Sequence, residues 1–309
     1  MCACNPVEIR YNVDKELFAS SKLHQPFVLK GYDIGPCVEK WSVKYLCSEG
    51  ADKVATAHVS ESPNMNFIDK NFSYKKMKFS TLVQRASEQV HEEYFTTPTE
   101  YYYFRSLGED VRKKASNINE QFPALSNDIN FPDLITDGHF FSSVLRIASA
   151  GMQLWTHYDV MDNFLIQVSG QKRVVLFPPT DALFLYLKGD KSEIVDIDNP
   201  DLNKYPLFAK ATKFQCILQP GDVLFIPALW FHNVVSLEFG IAVNVFWREL
   251  DESYYDAKDV YGNKDLVPAA RSMDIVNRAL KVLDALPGPY KDFYARKIIA
   301  HIEDKALAK

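Results

Sequence analysis

The sequence predicts a mainly β protein with flanking α-helices and a helical hairpin at its C-terminal end. Three observations carry this reading. From Phe140 to Trp247, short apolar runs rich in β-branched and aromatic residues are separated by turn residues. After Leu250 the apolar residues recur instead at helical spacing, through Met273, Val276, Leu280 and Leu283. The composition, 47% hydrophobic and 24% charged over 309 residues, is that of a globular chain long enough to bury a large core, which excludes a disordered or collagen-like protein.

Taken in order, an amphipathic segment around Leu17 to Leu23 leads into a strand at Gln25-Pro26-Phe27-Val28-Leu29. The stretch from about 61 to 130 is more charged, and Leu82, Ala86 and Val90 predict a helix within Phe79 to Glu93. Asp133 to Gly138 is a polar break before the strand Phe140 to Ile147. Trp155 to Asp159 follows a turn at Gly151. Phe164 to Val168 and Arg173 to Phe177 flank Ser169-Gly170, which reads as a hairpin turn. Gly221-Asp222 opens the strand Val223 to Ile226, and Ile241 to Trp247 closes the set. Pro287-Gly288-Pro289 stops the first C-terminal helix, and Phe293, Tyr294, Ile298 and Ile302 predict a second. The expected organisation is one domain over 1–250, with its β core at about 101–250, and a helical region over 251–309. The hairpin packs on its own barrel or on a second copy. Its two apolar stripes exceed what one packing face needs, so a homodimer is expected.

Lysine plus arginine number 35 against 40 aspartates and glutamates, a net charge of −5. This excludes a uniformly basic nucleic-acid coat, and a polyanion would have to meet a local patch. Candidates are Lys75, Lys76, Lys78, Arg105, Arg112, Lys113, Lys114 and Arg146; for any single cluster the competing reading is a solvated face. The 5 cysteines are scattered, so a disulfide framework is not expected and a reducing compartment is. Cys2 and Cys4 read as free thiols on a mobile tail. The chain starts without the pattern of a signal peptide. The longest apolar run, Val223 to Phe231, falls short of the roughly 20 residues of a membrane helix. A soluble intracellular protein is therefore expected, cytoplasmic or nuclear.

The chemistry concentrates in Trp155-Thr156-His157-Tyr158-Asp159. In a strand His157 and Asp159 share a face. With a distant third ligand they would form a 2-His-1-carboxylate iron site, which leaves coordination positions open; the competing reading of a lone His-x-Asp is a chance surface pair. His232, at the end of the run Val223 to Phe231, is the candidate. An imidazole buried there needs a hydrogen bond or a metal. Lys172 leads into an apolar strand and calls for an anion, unless it is solvated beside Arg173. Arg146, the one charge in Phe140 to Ala150, needs an anion or a buried acceptor: a substrate phosphate or carboxylate, or an internal salt bridge.

With these residues the sequence resembles the JmjC group of Fe(II)- and 2-oxoglutarate-dependent oxygenases. The resemblance runs through His157-Tyr158-Asp159, Asn163 to Arg173, Gly221 to Pro227 with Trp230 and His232, and Asn244-Val245-Phe246-Trp247. Within that group the chain is similar to the tRNA hydroxylases, through Tyr101 to Asp110, His157 to Asn163, Tyr186 to Gly189, Asn199 to Leu202 and Asp292 to Arg296. The resemblance implies a double-stranded β-helix, the cupin-like jelly roll of JmjC domains. It implies Fe(II) on His157, Asp159 and His232, with 2-oxoglutarate and dioxygen as co-substrates. Lys172 and Tyr103 would hold the distal carboxylate of 2-oxoglutarate, Asn163 would lie beside it, and Asn244 would be a further contact. Small relatives carry a threonine where this chain has Leu154, which removes one hydrogen bond. The implied reaction is hydroxylation of the wybutosine-type side chain of the modified guanosine next to the anticodon of phenylalanine tRNA, with Arg146, Arg105, Lys113 and Lys114 as candidate substrate contacts. Two rivals stand beside it. One is a protein hydroxylase or demethylase of the same superfamily, since fold does not dictate substrate. The other is a non-catalytic cupin-like binding module, which usually offers a His-x-His pair with a following glutamate and is disfavoured by Asp159.

Overall fold

A computed structural model describes residues 4–20, 25–50, 53–135 and 138–307. Its strands are β1 (Cys4–Pro6), β2 (Glu8–Tyr11), β3 (Phe27–Lys30), β4 (Val54–Ser60), β5 (Phe72–Lys78), β6 (Tyr101–Arg105), β7 (Phe140–Ala148), β8 (Gln153–His157), β9 (Asp162–Ser169), β10 (Lys172–Phe177), β11 (Leu187–Lys188), β12 (Lys191–Ser192), β13 (Lys213–Leu218), β14 (Val223–Ile226), β15 (Phe231–Ser236) and β16 (Gly240–Trp247). The helices are α1 (Lys15–Ser20), α2 (Cys37–Lys40), α3 (Val43–Glu49), α4 (Phe79–Ser87), α5 (Ile118–Gln121), α6 (Pro123–Ser126), α7 (Val267–Leu283) and α8 (Gly288–Ala306). The chain divides into two compact units. One runs to Glu252 and takes in Ala257–Lys264; the other comprises Ser253–Asp256 and the chain from Asp265 on.

The first unit holds two sheets, ordered β1-β13-β10-β15-β8-β12-β11 and β2-β3-β14-β9-β16-β7-β6-β4-β5. Their centres, β13-β10-β15-β8 and β14-β9-β16-β7, form a jelly roll, a double-stranded β-helix. Along the chain β7, β8, β9 and β10 alternate between the sheets, and β13 to β16 alternate again in the opposite order. Chain neighbours within this core therefore do not pair with each other. This corrects the reading of Ser169-Gly170 as a hairpin turn: β9 pairs with β14 and β16, whereas β10 pairs with β13 and β15. The link is a tight crossing between sheets. Gly170 takes φ +70°, and a Cβ there would lie 2.1 Å from the carbonyl oxygen of Phe239. Gln167 Nε2 donates to the carbonyls of Ser169 and Gly170 at 2.7 and 2.8 Å. Two strands joined by a short glycine turn look alike in sequence whether they pair or cross.

Alternation sorts the side chains. On β9 and β16, Phe164, Ile166, Val168, Val243, Val245 and Trp247 face outward and pack with Phe27, Leu46, Phe79 and Leu82. Leu165 and Ala242 face inward and join Val174, Leu176, Leu224 and Trp230 between the sheets. Both faces are covered, which is why these strands read as continuous apolar runs. The helix expected over Phe79 to Glu93 stops at Ser87, with Phe79, Leu82, Val83 and Ala86 buried. Val90 is exposed beyond it. The chain there turns around the Glu100 carboxylate, which accepts from the backbone N–H groups of Phe95 and Thr96. Cys4 belongs to a strand, β1, paired in parallel with β13, so it is anchored and not on a mobile tail. Cys2, and Ser21 to His24 at the end of the predicted amphipathic segment, lie outside the described residues.

In the second unit, α7 starts at Val267, ahead of the predicted stripe, with Pro268 in its first turn. In α8, Pro289 likewise falls in the first turn, where its missing N–H costs nothing. Neither helix has a buried residue. Met273, Val276, Leu280, Phe293, Ile298 and Ile302 are all exposed. No helix among the described residues is long and apolar enough to cross a membrane.

Candidate active site

His157 closes β8 and His232 stands opposite it on β15, with ring centroids 4.3 Å apart. Between the pairs Leu154↔Val234 and His157↔His232 the register slips by one residue, with β8 carrying the extra one. The bulge returns His157 to the interior face that Leu154 already occupies, which plain alternation would not do. The strand ends at His157, so Asp159 reaches the site from the turn beyond it and not by strand alternation. That turn is tied to the loop preceding His232. Leu229, at φ +69°, donates its N–H to the Asp159 carbonyl at 2.8 Å, and Ala228 N–H donates to Asp162 Oδ1 at 2.7 Å. One ligand atom from each of His157, Asp159 and His232 lies within 4.8 Å of the others. Asp159 Oδ2 is 3.6 Å from His232 Nε2.

Both imidazoles are oriented alike. Nδ1 of His157 lies 2.9 Å from the Trp155 carbonyl, and Nδ1 of His232 lies 3.1 Å from that of Trp230. A carbonyl can only accept, so each Nδ1 carries the proton and each Nε2 keeps its lone pair. Burial holds His157 far below the ordinary histidine pKa, and the neighbouring His232 adds to this. Burial also lowers His232, with Asp159 opposing. Burial raises Asp159. Two neutral imidazoles and a desolvated carboxylate form the donor set of a divalent transition metal.

Behind these ligands lies an inner cavity lined by Tyr103, Arg146, Leu154, Lys172, Ser236 and Asn244. Lys172 is 3% exposed, and no acid pairs with it among the described residues. Burial, with Arg146 nearby, presses its amine down to about 7. Arg146 donates from Nε to Asn244 Oδ1 at 2.6 Å and from a terminal nitrogen to the Tyr103 hydroxyl. It is therefore neither salt-bridged, among the described residues, nor confined to a substrate contact; it knits the wall of the inner cavity. Asn244 Nδ2 donates to Asn163 Oδ1 at 2.9 Å, so Asn163 reaches the cavity through Asn244. Two cations without carboxylate partners, one of them nearly fully buried, fit a dianion beside the metal ligands.

Outside the ligands a second cavity is lined by Arg105, Arg146, Lys114, Phe67, Trp155 and Tyr261, and by His157 and Asp159 at its floor. Of the basic candidates, Arg105, Arg146 and Lys114 meet there. Lys113 does not: its side chain is 82% exposed, 3.6 Å from Asp110. Lys75, Lys76 and Lys78 lie on β5, the edge strand of the larger sheet, where lysines also discourage edge pairing. Sequence reasoning missed Phe67, Trp155, the Asp190–Lys191 ion pair and Tyr261, all lining this cavity. Trp155 had a signal, since it precedes His157 by two positions on one strand. Tyr261 lies beyond the last core strand and had none. His58, behind Tyr103, was also missed. Its Nδ1 lies 3.3 Å from the Tyr103 carbonyl, and burial, with Arg105 nearby, pushes its pKa down to about 4.

The Cupin-like domain family matches residues 16–253. A Homo sapiens protein named tRNA wybutosine-synthesizing protein 5 is 56% identical over 306 residues, covering 98% of this chain and 97% of that protein. Its Mus musculus counterpart is 55% identical over 306 residues, with 98% and 97% coverage. The Gallus gallus protein of that name is 56% identical over 282 residues, covering 91% and 89%.

Proposed function

Because this chain belongs to the cupin-like family of tRNA wybutosine-synthesizing protein 5, we propose that it hydroxylates the wybutosine-type side chain of the modified guanosine next to the anticodon of phenylalanine tRNA, with Fe(II), 2-oxoglutarate and dioxygen. One observation carries the reading: a 2-His-1-carboxylate set borders an inner cavity whose Lys172 and Arg146 lack carboxylate partners among the described residues. When bound, the iron and its co-substrates supply the oxidation, 2-oxoglutarate leaving as succinate and carbon dioxide while one oxygen atom becomes the substrate hydroxyl. His157, Asp159 and His232 hold the metal through two Nε2 atoms and a carboxylate oxygen. Lys172 pairs with the distal carboxylate of 2-oxoglutarate, and the Tyr103 hydroxyl, steadied by Arg146, donates to the same group. Asn244, braced by Asn163, closes the wall, and Leu154 keeps it dry. Arg105 and Lys114 are basic contacts for the RNA at the outer cavity, and Lys113 is a contact on the exposed surface away from it. The test is 2-oxoglutarate turnover coupled to mass spectrometry of nucleosides from the tRNA. A 16-dalton gain (about the mass of one oxygen atom) on the side chain supports it. Turnover driven by peptides and not by tRNA transfers the assignment to a protein hydroxylase.

We also assign oxygenase chemistry to residues 1–250, together with the 257–264 segment that carries Tyr261, and homodimerisation to the helical remainder of 251–309. The support is the exposed apolar surface of α7 and α8, where Met273, Ile275, Leu280, Phe293 and Ile299 are each about half exposed or more. Light scattering of wild type beside Leu280→Glu checks it. A monomeric wild type at micromolar concentration overturns it.

A further inference from the structure

Arg105 ends β6, and its register partner on β7 is Arg146. The two guanidinium-bearing residues are thus cross-strand neighbours on one interior face, and both line the outer cavity. Like charges side by side are unfavourable unless each is compensated. Arg146 is compensated by Asn244 Oδ1 and the Tyr103 hydroxyl. Lys114 has Glu109 at 3.4 Å, and Lys191 has Asp190. Among the described residues Arg105 has neither an acid nor a hydrogen-bond acceptor for its side chain. It stacks instead, with Cζ 4.8 Å from the centroid of the Tyr261 ring.

Tyr261 is itself held. Its hydroxyl donates to the Val111 carbonyl at 2.9 Å. The buried Asp259 carboxylate accepts from the backbone N–H groups of Tyr261 and Gly262, each at 3.0 Å, and from that of Lys264 at 2.8 Å. The ring is a fixed platform, so the guanidinium is preorganised and its planar fork of donors stays open to the cavity. Burial lowers the pKa of Arg105, with Arg146 contributing. A second donor without an acceptor borders the same cavity, the buried indole N–H of Trp155. The inner cavity already has its own cations for the co-substrate, so Arg105 is not needed there.

We propose that Arg105, seated on Tyr261, is the oxyanion-reading residue of the substrate pocket: it binds a carboxylate or phosphate carried by the substrate and thereby sets which carbon faces the metal ligands. This rests on reading the outer cavity as the substrate site. A planar bidentate fork suits either oxyanion, whereas a lysine would act as a point charge. The two sources are a carboxyl group on the side chain of the modified base and a backbone phosphate of the RNA.

The test uses Ni(II)-loaded protein with saturating 2-oxoglutarate, so that binding is read without turnover. Three phenylalanine tRNAs are compared: side chain with a free carboxyl group, the same as a methyl ester, and lacking the side chain. If a carboxylate is read, Arg105→Gln weakens binding of the free-acid tRNA at least tenfold and leaves the other two within about twofold. Arg105→Lys recovers part of the loss. If a phosphate is read, Arg105→Gln weakens all three alike and lowers the salt slope by roughly 0.7–0.9, the range for one phosphate between single-stranded and duplex nucleic acid. Unchanged affinity for all three overturns the proposal. Should Arg105→Gln fail to fold, Tyr261→Leu, which removes the platform, is expected to weaken the same tRNAs severalfold, and wild-type affinity there overturns it. Should wild type bind no tRNA, the substrate reading falls separately. Inorganic phosphate titrated into wild-type and Arg105→Gln protein then reads the subsite alone, and equal affinity in the two overturns it.

Discussion

Lys172→Ala is the sharpest perturbation of the inner cavity. The wild-type amine is 3% exposed and pressed to about 7 by burial and by Arg146. Losing a charge-assisted hydrogen bond to a carboxylate costs ~1.5–3 kcal/mol, roughly tenfold to 150-fold in affinity for 2-oxoglutarate. A bound carboxylate also pulls the amine back toward the ordinary value of 10.5. Binding is then proton-linked. Below pH 7 the free amine is already charged and affinity is high and flat. As pH rises above about 7 a proton must be taken up with the ligand, so affinity falls by up to ~1.4 kcal/mol, about tenfold, per pH unit until the bound-state pKa is reached. Stability of the co-substrate-free protein has the opposite slope. From about 7 toward 10.5 the unfolded chain binds the proton that the folded one has lost, so this lysine makes folding more favourable as pH rises. Calorimetric titration of 2-oxoglutarate into Ni(II)-loaded protein between pH 6 and 9 (a range spanning about one unit below and two above that pKa) measures the binding effect, and denaturant unfolding of the co-substrate-free protein over the same range measures the stability slope. Lys172→Ala should bind weakly with little pH dependence, and Lys172→Arg should rescue in part because the fork needs more room. Unchanged affinity in the alanine variant, or a wild-type pH profile that the variant reproduces, would move Lys172 out of the co-substrate site.

His157→Ala, Asp159→Ala and His232→Ala should each abolish turnover and weaken metal binding, read by metal titration; near-wild-type activity in any one removes it from the ligand set. Gly170→Ala should lower stability by about 1–3 kcal/mol, visible in Tm, because it combines an unfavourable positive φ with a Cβ 2.1 Å from the Phe239 carbonyl oxygen. An unchanged Tm would show that the inter-sheet crossing relaxes freely. Binding of phenylalanine tRNA should fall steeply with salt, and charge reversal at Lys113 with Lys114, or at Lys75 with Lys76, should flatten the log–log slope by roughly 0.7–0.9 for each phosphate no longer neutralised. Filter binding across a salt series decides between the two clusters, and salt-independent binding rejects both.

The main elements, and the three residues that the fold brings together as candidate metal ligands, were legible in local sequence. The apolar runs of β9, β14 and β16 marked strands buried on both faces, and the three-and-four spacing after Leu250 marked α7 and α8. His157, Asp159, His232 and Lys172 could be singled out because a charged or titratable group inside an apolar strand, or at its end, is costly without a partner. That cost is local and is written in the residue and its neighbours. Whatever depends on pairing between distant strands was settled by the folded arrangement instead. Ser169-Gly170 satisfies the chemistry of a hairpin turn as well as that of a crossing, and only the partners of β9 and β10 distinguish them. The bulge in β8 shifts the phase of alternation between Leu154 and His157, and nothing in the local sequence records it because a bulge is defined by the residue opposite. Arg146 and Arg105 look alike as lone arginines at strand positions. Their difference lies in Asn244 and Tyr103, which satisfy one, and Tyr261, which only supports the other. These partners come from strands and a loop far apart in the chain, brought together by the side-by-side pairing of β16, β7 and β6 in one sheet and by the loop that carries Tyr261.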